Sequence, residues 1–346
     1  MSLTRRQLLK LAGAAGAVSA IPGFTFAQTI EKKDVTIAVG GKALIYYLPL
    51  SIAELKGFFK DEGLDVKVVD FAGGSRALQA VVGGSADIVS GAFEHPINLQ
   101  SKGQNYRSFV LQGRAPMIVL GVSKKTVPNY QSPADLKGKK IGVTAPGSST
   151  NMMVNFFLAQ HGLKPSDVSI IGVGAGAGAI TALRTGQVDA MANLDPVIST
   201  LANEDLLHII ADTRTLEDTR SIFGGNMPAA TLYTSQNFID RNPNTTQGLA
   251  NAIVRANKWI QSASADEIMK TVPEQYLLGE PELYKLALDG NRPALSPDGL
   301  VPEDGPKTAL NALAAFVPDF KPDEIDLSKI WTNEFAEKAN QKYPNG

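Results

Sequence analysis

The chain has 346 residues and no cysteine. Disulfides, thiolate metal sites and a cysteine nucleophile are therefore excluded. Histidine is scarce: His95, His161 and His208 are scattered, so a histidine metal cluster is not expected. An excess of one charge is lacking too, with 33 Lys+Arg against 34 Asp+Glu. Phosphate-backbone binding needs a basic surface, so nucleic acid is not an expected partner. The apolar run Leu11–Ile21 is too short to span a bilayer, which takes about 20 residues. What is present fits an ordinary globular protein: 44% apolar and 19% charged residues exclude disorder, coiled coil and collagen. At this length two domains or lobes are the expectation.

The N-terminus reads as an address. Arg5-Arg6, a polar residue, two leucines and Lys10 precede the apolar run, and small residues end it near Ala27. This is the order of an export signal with a twin-arginine-like charged region. No cysteine follows, so no lipid anchor is expected. Cleavage near Ala27 would leave 30 basic and 34 acidic residues over 319, a mildly acidic chain in a bacterial periplasm. Neither a membrane surface nor a nucleic acid is then a partner by charge, and no cofactor is expected.

Along the remaining chain, short β-rich runs at 34–39, 66–71 and 86–89 alternate with helical spacing at 48–59 and about 75–82. Glycine pairs punctuate them, the mark of an open α/β sheet. The pattern then repeats 102 residues on. Asp65-Val66-x-Val68-Val69 returns as Asp167-Val168-x-Ile170-Ile171, Gly74 as Gly176, Gly84 as Gly186 and Asp87 as Asp189. Two similar lobes explain an ordered repeat of this length; a solenoid does not. Between the copies, strands are expected at 117–122 and 140–144 and a helix at 151–160, capped by Ser149 or Thr150. Strands at 207–211 and 229–233 follow. Beyond Asn244 the chain is mainly helical, over 245–262, 265–271, 280–289, 306–316 and 331–342.

In open α/β sheets, ligands bind beyond the carboxyl ends of the strands. The junctions there are Gly40–Tyr47, Ala72–Arg76, Gly91–Pro96, Ala145–Thr150 and Gly172–Ala177, followed by Asn193–Pro196. Gly74, Ser75 and Ser148, Ser149 and Thr150 stand at helix starts, where free N–H groups and the helix dipole favour an oxyanion. The same residues also serve as plain turn formers and caps. Arg114 offers a guanidinium to a planar oxyanion or to a lobe–lobe ion pair, and Lys42 is a similar candidate. Tyr46, Tyr47 and Phe93 can enclose a ligand or fill the core. Asn193 lies in the last of these junctions, beside Asp195. Glu94 and His95 can contact ligand or do acid–base work; Asp195 can hold a hydroxyl or amine, or cap the helix after it. Gly172–Ala177 nominally fits a dinucleotide fingerprint. Its place mid-chain in an exported protein, and its absence from the twin loop at 72–75, argue against that use.

The segments 52–66 (Ile-Ala-Glu-Leu-Lys-Gly-Phe-Phe-Lys-Asp-Glu-Gly-Leu-Asp-Val), 83–88 (Gly-Gly-Ser-Ala-Asp-Ile), 135–143 (Asp-Leu-Lys-Gly-Lys-Lys-Ile-Gly-Val) and 186–190 (Gly-Gln-Val-Asp-Ala) carry a resemblance. In that order, behind an export signal, they resemble the periplasmic substrate-binding proteins of ABC importers. The branch is the nitrate/sulfonate/taurine group with its thiamine-pyrimidine-binding relatives. The resemblance implies an α/β fold of the two-lobed periplasmic-binding-protein type (type II-like), two open sheets joined by two hinge crossings. Lobe one would be 29–118 with 230–346, and lobe two 119–229. Ligand loops would fall on Gly40–Tyr47, Gly73–Ser75, Phe93–His95, Gly147–Thr150 and Asn193–Asp195. The implied function is non-catalytic capture of a small organic anion, a sulfonate or carboxylate, for a membrane permease, by a monomer that is not membrane-embedded. A pyrimidine-like amine held by Glu94 and Asp195, and a hydrolase using Glu94-His95, are the rival expectations. The cysteine and histidine motifs of the eukaryotic pyrimidine-making relatives are absent, against an enzyme of that type.

Overall fold

The computed structural model describes residues 29–345. The expected export signal at 1–27 lies outside them. Ten strands form two five-stranded sheets. They are β1 (Asp34–Gly40), β2 (Asp65–Phe71), β3 (Ile88–Ala92), β4 (Tyr106–Leu111), β5 (Val119–Ser123), β6 (Lys140–Val143), β7 (Ser169–Gly172), β8 (Ala190–Asn193), β9 (Leu207–Asp212) and β10 (Ala230–Ser235). The first sheet has the order β2-β1-β3-β10-β4 and the second β7-β6-β8-β5-β9. β1 runs parallel to β2 and β3, and β6 parallel to β7 and β8. In each sheet the strand that has crossed from the other half pairs antiparallel with both neighbours: β10 with β3 and β4, β5 with β8 and β9. The two sheets are topological copies, and the chain passes between them twice.

The 102-residue repeat has a structural basis. β2 and β7 are matching edge strands, and the Gly-rich loops lead into matching helices. Asp87 and Asp189 do one job twice. Asp87 accepts from the backbone N–H of Thr36 at 2.9 Å, and Asp189 from that of Lys140 at 2.9 Å. Each carboxylate fastens the start of the neighbouring parallel strand.

Helices α1 (Leu48–Leu55), α2 (Phe58–Asp61), α3 (Gly74–Val82) and α4 (Glu94–Gln100) belong with the first sheet. Helices α5 (Ser149–Gln160), α6 (Ala177–Thr185), α7 (Val197–Asn203) and α8 (Leu216–Phe223) belong with the second. The C-terminal helices are α9 (Gln236–Arg241), α10 (Pro243–Ser262), α11 (Ala265–Thr271), α12 (Pro281–Asn291), α13 (Gly305–Ala314) and α14 (Glu334–Lys342). The single helix expected over 48–59 is two, because Gly57 takes a left-handed φ of 75° between them. α10 starts at Pro243, where a missing N–H costs nothing. It buries Leu249, Ile253, Ala256 and Ile260 at three- and four-residue spacing.

The C-terminal helices are not confined to the first lobe. α12 packs on α7, and α13 packs on both α4 and α5. A third layer of helix therefore spans the gap between the sheets. Among the described residues no helix is long and apolar enough to cross a membrane, and no group of three or more His, Cys, Asp or Glu could hold a metal ion.

Candidate functional site

The two lobes meet at the carboxyl ends of their parallel strands. The loop before α3 presses on the loop after β6: a Cβ on Gly73 would stand 2.8 Å from that of Ala145. A Cβ on Gly41, which also holds φ at +97°, would stand 2.5 Å from that of Ala175. Only glycine allows these approaches. Hydrogen bonds close the seam. The Ser75 N–H donates to Ser148 Oγ at 3.0 Å, Ser75 Oγ donates to the Pro146 carbonyl at 2.8 Å, and the Ile45 N–H donates to the Asp195 carbonyl at 3.1 Å.

This seam reassigns the expected cap of α5. Ser148 occupies the N-cap position, but its hydroxyl serves Ser75 rather than its own helix. Thr150 Oγ1 accepts from the Thr144 N–H at 3.1 Å, tying the helix start to the end of β6. The N–H groups of the first turn of α5 have no intrahelical carbonyl to meet.

Beside the seam lies a pocket lined by Tyr46 and Glu94 from the first lobe and by Ser149, Met152, Met153 and Phe156 from α5. The crossings add Pro116, Ile118, Met227, Pro228 and Ala229, the end of α8 adds Phe223, and α13 with its following turn adds Ala309, Ala312, Leu313 and Phe316. Phe156 and Phe223 stack at 4.8 Å. The empty space is about 410 Å³, part of it open to solvent.

Its polar end is unusual. Glu94 is 6% exposed, and burial pushes its carboxyl up to about 7. Tyr46, Tyr47 and Tyr233 gather near it, all with phenols raised first by burial, then by that carboxylate for Tyr47, and by Tyr47 ahead of the carboxylate for Tyr46 and Tyr233. Tyr46 and Tyr47 meet edge to face at 4.7 Å. His95 turns away: its Nδ1 is 2.7 Å from the Tyr233 hydroxyl and its Nε2 is buried without a hydrogen bond. Burial holds its imidazole down at about 4, with the Gly147 backbone offsetting part of the effect.

The structure sorts the fourteen expected residues into groups. Tyr46, Glu94 and Ser149 line the pocket. Tyr47, Gly74, Ser75, His95 and Ser148 form the seam beside it; a methyl on Gly74 would lie 3.5 Å from His95 Cε1 and 3.7 Å from the Tyr47 hydroxyl. Phe93 is fully buried among Ile97, Leu111 and Phe156, and Thr150 is used as described. Asn193 ties the end of β8 to the loop after β7, donating to the Gly174 carbonyl at 3.1 Å and accepting from the Leu194 N–H at 2.9 Å. Asp195 is occupied: it accepts from Ser199 N–H and Oγ at 2.8 and 2.6 Å, from Asn291 at 2.7 Å and from Arg214 at 3.4 Å. Lys42 pairs with Glu54, and Arg114 donates from Nε to the Pro293 carbonyl at 2.9 Å. Neither cation lines the pocket.

The sequence profile of the NMT1-like family matches residues 28–272. The chain belongs to the NMT1-like family. A solved structure from Bordetella bronchiseptica RB50 is 70% identical to this NMT1-like chain, covers 92% of it and all of the other chain, and superposes with a TM-score of 0.91. YtlA of Bacillus subtilis (strain 168) is 26% identical over 267 residues, 75% of this chain and 76% of YtlA. The alkanesulfonate-binding protein SsuA of Xanthomonas axonopodis pv. citri, solved with MOPS bound, is 19% identical with a TM-score of 0.67, covering 88% of this chain and 100% of that one. That likeness is one of fold, the two-lobed periplasmic-binding-protein fold.

The apolar wall of the NMT1-like pocket was not readable as a site. Met152, Met153 and Phe156 look like the core side of a helix, and α13 and Phe223 lie far from the strand ends in sequence. The proline-flanked crossings at Pro116 and Pro228 were the one available signal, since a lobe boundary draws the cleft toward it.

Proposed function

We propose that this protein is a non-catalytic receptor, exported to the periplasm, that encloses a small organic anion between two lobes and delivers it to the permease of an ABC importer. Residues 29–118 and 230–346 would make one lobe and 119–229 the other, behind a cleaved, twin-arginine-like signal at 1–27. The observation that carries this reading is the pocket itself. Both lobes, both crossings and a C-terminal helix wall it, so a ligand there links all three and favours the closed form. The apolar walls suit the body of an alkyl or aromatic sulfonate or carboxylate, and the start of α5 at Ser149 suits its charged end. The alkanesulfonate-binding SsuA, alike in fold, supports the anion class. Delivery one to one favours a monomer.

A thermal-shift screen of the mature protein tests the reading. Sulfonates, carboxylates, nitrate and pyrimidines are compared, and one anion class is expected to raise the melting temperature by mass action. A shift with none of them counts against the pocket as a ligand site.

A second reading is favoured by one observation: among the described residues, Glu94 is the only charged side chain lining the pocket. A nitrogen heterocycle bearing an amine would meet that carboxylate, and Glu94→Gln would then weaken binding at least about tenfold. Hydrolysis by a Glu94–His95 pair has less support, because His95 gives its Nδ1 to Tyr233 and does not line the pocket.

A further inference from the structure

An anion site without a cation needs another source of donors. Among the described residues no Lys, Arg or His lines the pocket. Lys42 and Arg114 are engaged elsewhere, and Arg214 binds Asp212 and Asp195. The polar end consists of the start of the twelve-residue helix α5 at Ser149, Tyr46 and Glu94. The helix start presents N–H groups and a positive dipole end, which disfavour a cationic ligand and favour an acceptor. Burial keeps the Tyr46 phenol protonated. An ionised Glu94 in this apolar space would repel an anion; a neutral one donates to it.

The groups facing Glu94 permit the neutral form. They are the phenols of Tyr46 and Tyr47 from the loop before α1 and Tyr233 from β10, while the imidazole of His95, next in the chain, is turned to the Tyr233 hydroxyl. Of the other elements packed on α4, α13 carries Lys307, which is exposed. β4 carries Tyr106, and Arg107, which gives its guanidinium to the carbonyls of Trp331 and Ser328. Among the described residues no cation holds the carboxylate ionised; only the backbone at Glu94 itself favours that form, and burial outweighs it.

We infer that Glu94 enters the complex as a neutral acid that donates its proton to the carboxylate of a small apolar monocarboxylate, so that capture above neutral pH takes one proton from solvent per ligand. No covalent bond forms or breaks; the proton stays between the two carboxyl oxygens. The raised Glu94 carboxyl, at about 7, leaves part of the population protonated at neutral pH. The inference rests on the receptor reading and narrows it from anions to weak acids.

Calorimetric titration with benzoate, hexanoate, benzenesulfonate and benzylamine between pH 5.5 and 9, in two buffers of different ionisation enthalpy, tests it. Carboxylate affinity should be flat up to about pH 7 and then fall about tenfold per unit. The buffer comparison should give close to one proton taken up per carboxylate at pH 8.5. In Glu94→Gln the pH slope should disappear. A flat profile with no proton uptake, tighter binding of benzenesulfonate than of either carboxylate, or binding of neither carboxylate overturns the inference. Affinity for benzylamine that rises with pH overturns it in favour of the amine reading. In the first two cases, as with benzylamine, a ligand is still bound, so the receptor reading survives; silence from all four probes removes both.

Discussion

Glu94 and His95 are adjacent in the chain, both buried, and burial moves them in opposite directions: the acid up to about 7, the base down to about 4. Each is therefore held neutral at mildly acidic pH. The native state keeps the Glu94 proton longer than the unfolded chain does, so this residue favours folding below about pH 4.5. That contribution is lost as pH rises toward 7. His95 works the other way: its contribution is full above about 6.5 and is lost as pH falls toward 4. Glu94→Gln should raise the melting temperature relative to the native protein at pH 8.5, by a stability gain of up to about 3 kcal/mol. The gain should fade at pH 5; melts at the two pH values check it. At this scale the sequence spoke unevenly. That Tyr46, Glu94 and Ser149 line one pocket was legible because all three stand at strand-end junctions of the open sheets. Arg114 and Lys42 are candidates by charge and by their places near strand ends, and a linear sequence does not say that Pro293 and Glu54 lie within their reach.

At the scale of elements, α5 has two working faces. Val154 and Leu158 are fully buried in the core cluster that spans both sheets, while Met152 and Phe156 turn to the pocket. Leu158→Ala should cost about 3 kcal/mol in denaturant unfolding. Met152→Ala should cost less than about 1 kcal/mol, because Met152 is only partly buried, and should act on ligand affinity. The repeated strand, loop and helix units were legible because apolar spacing and glycine punctuation are local properties. So was the Asp87–Asp189 correspondence, although its meaning, a clamp on the neighbouring strand, emerged only from the register. The break at Gly57 was less so: periodic apolar residues on both sides hide a change of axis that a single positive φ produces.

For the whole molecule, the lobes are held against each other by contacts that cross between them. Gly73 has an extended φ of −174°, which any residue adopts, so its replacement acts through the contacts with Ala145 and the Thr144 backbone. Gly73→Val should leave the stability of the ligand-free protein within about 1 kcal/mol, enlarge its radius of gyration in solution scattering and weaken ligand binding. Asp195 is a different kind of tie. Its carboxylate joins Ser199 and the half-buried Arg214 to Asn291 of α12. Asp195→Ala would strand those donors and should cost about 3 kcal/mol or more in urea unfolding. The sequence carried the existence of two like halves, since the repeat is written in it. It did not carry the reach of the C-terminal helices across both halves, which depends on packing between residues a hundred or more positions apart.

The placement of α13 has a consequence for handedness of use. Two sheets of one topology, facing each other, would by themselves offer a guest two nearly equivalent ways round. α13 lies on one side of the pocket, so that side is apolar, while the other holds Glu94 and the start of α5. On the receptor reading proposed above, a guest would lie with its polar end toward that corner. A permease that docks on both lobes of such a receptor would then meet every guest in the same orientation.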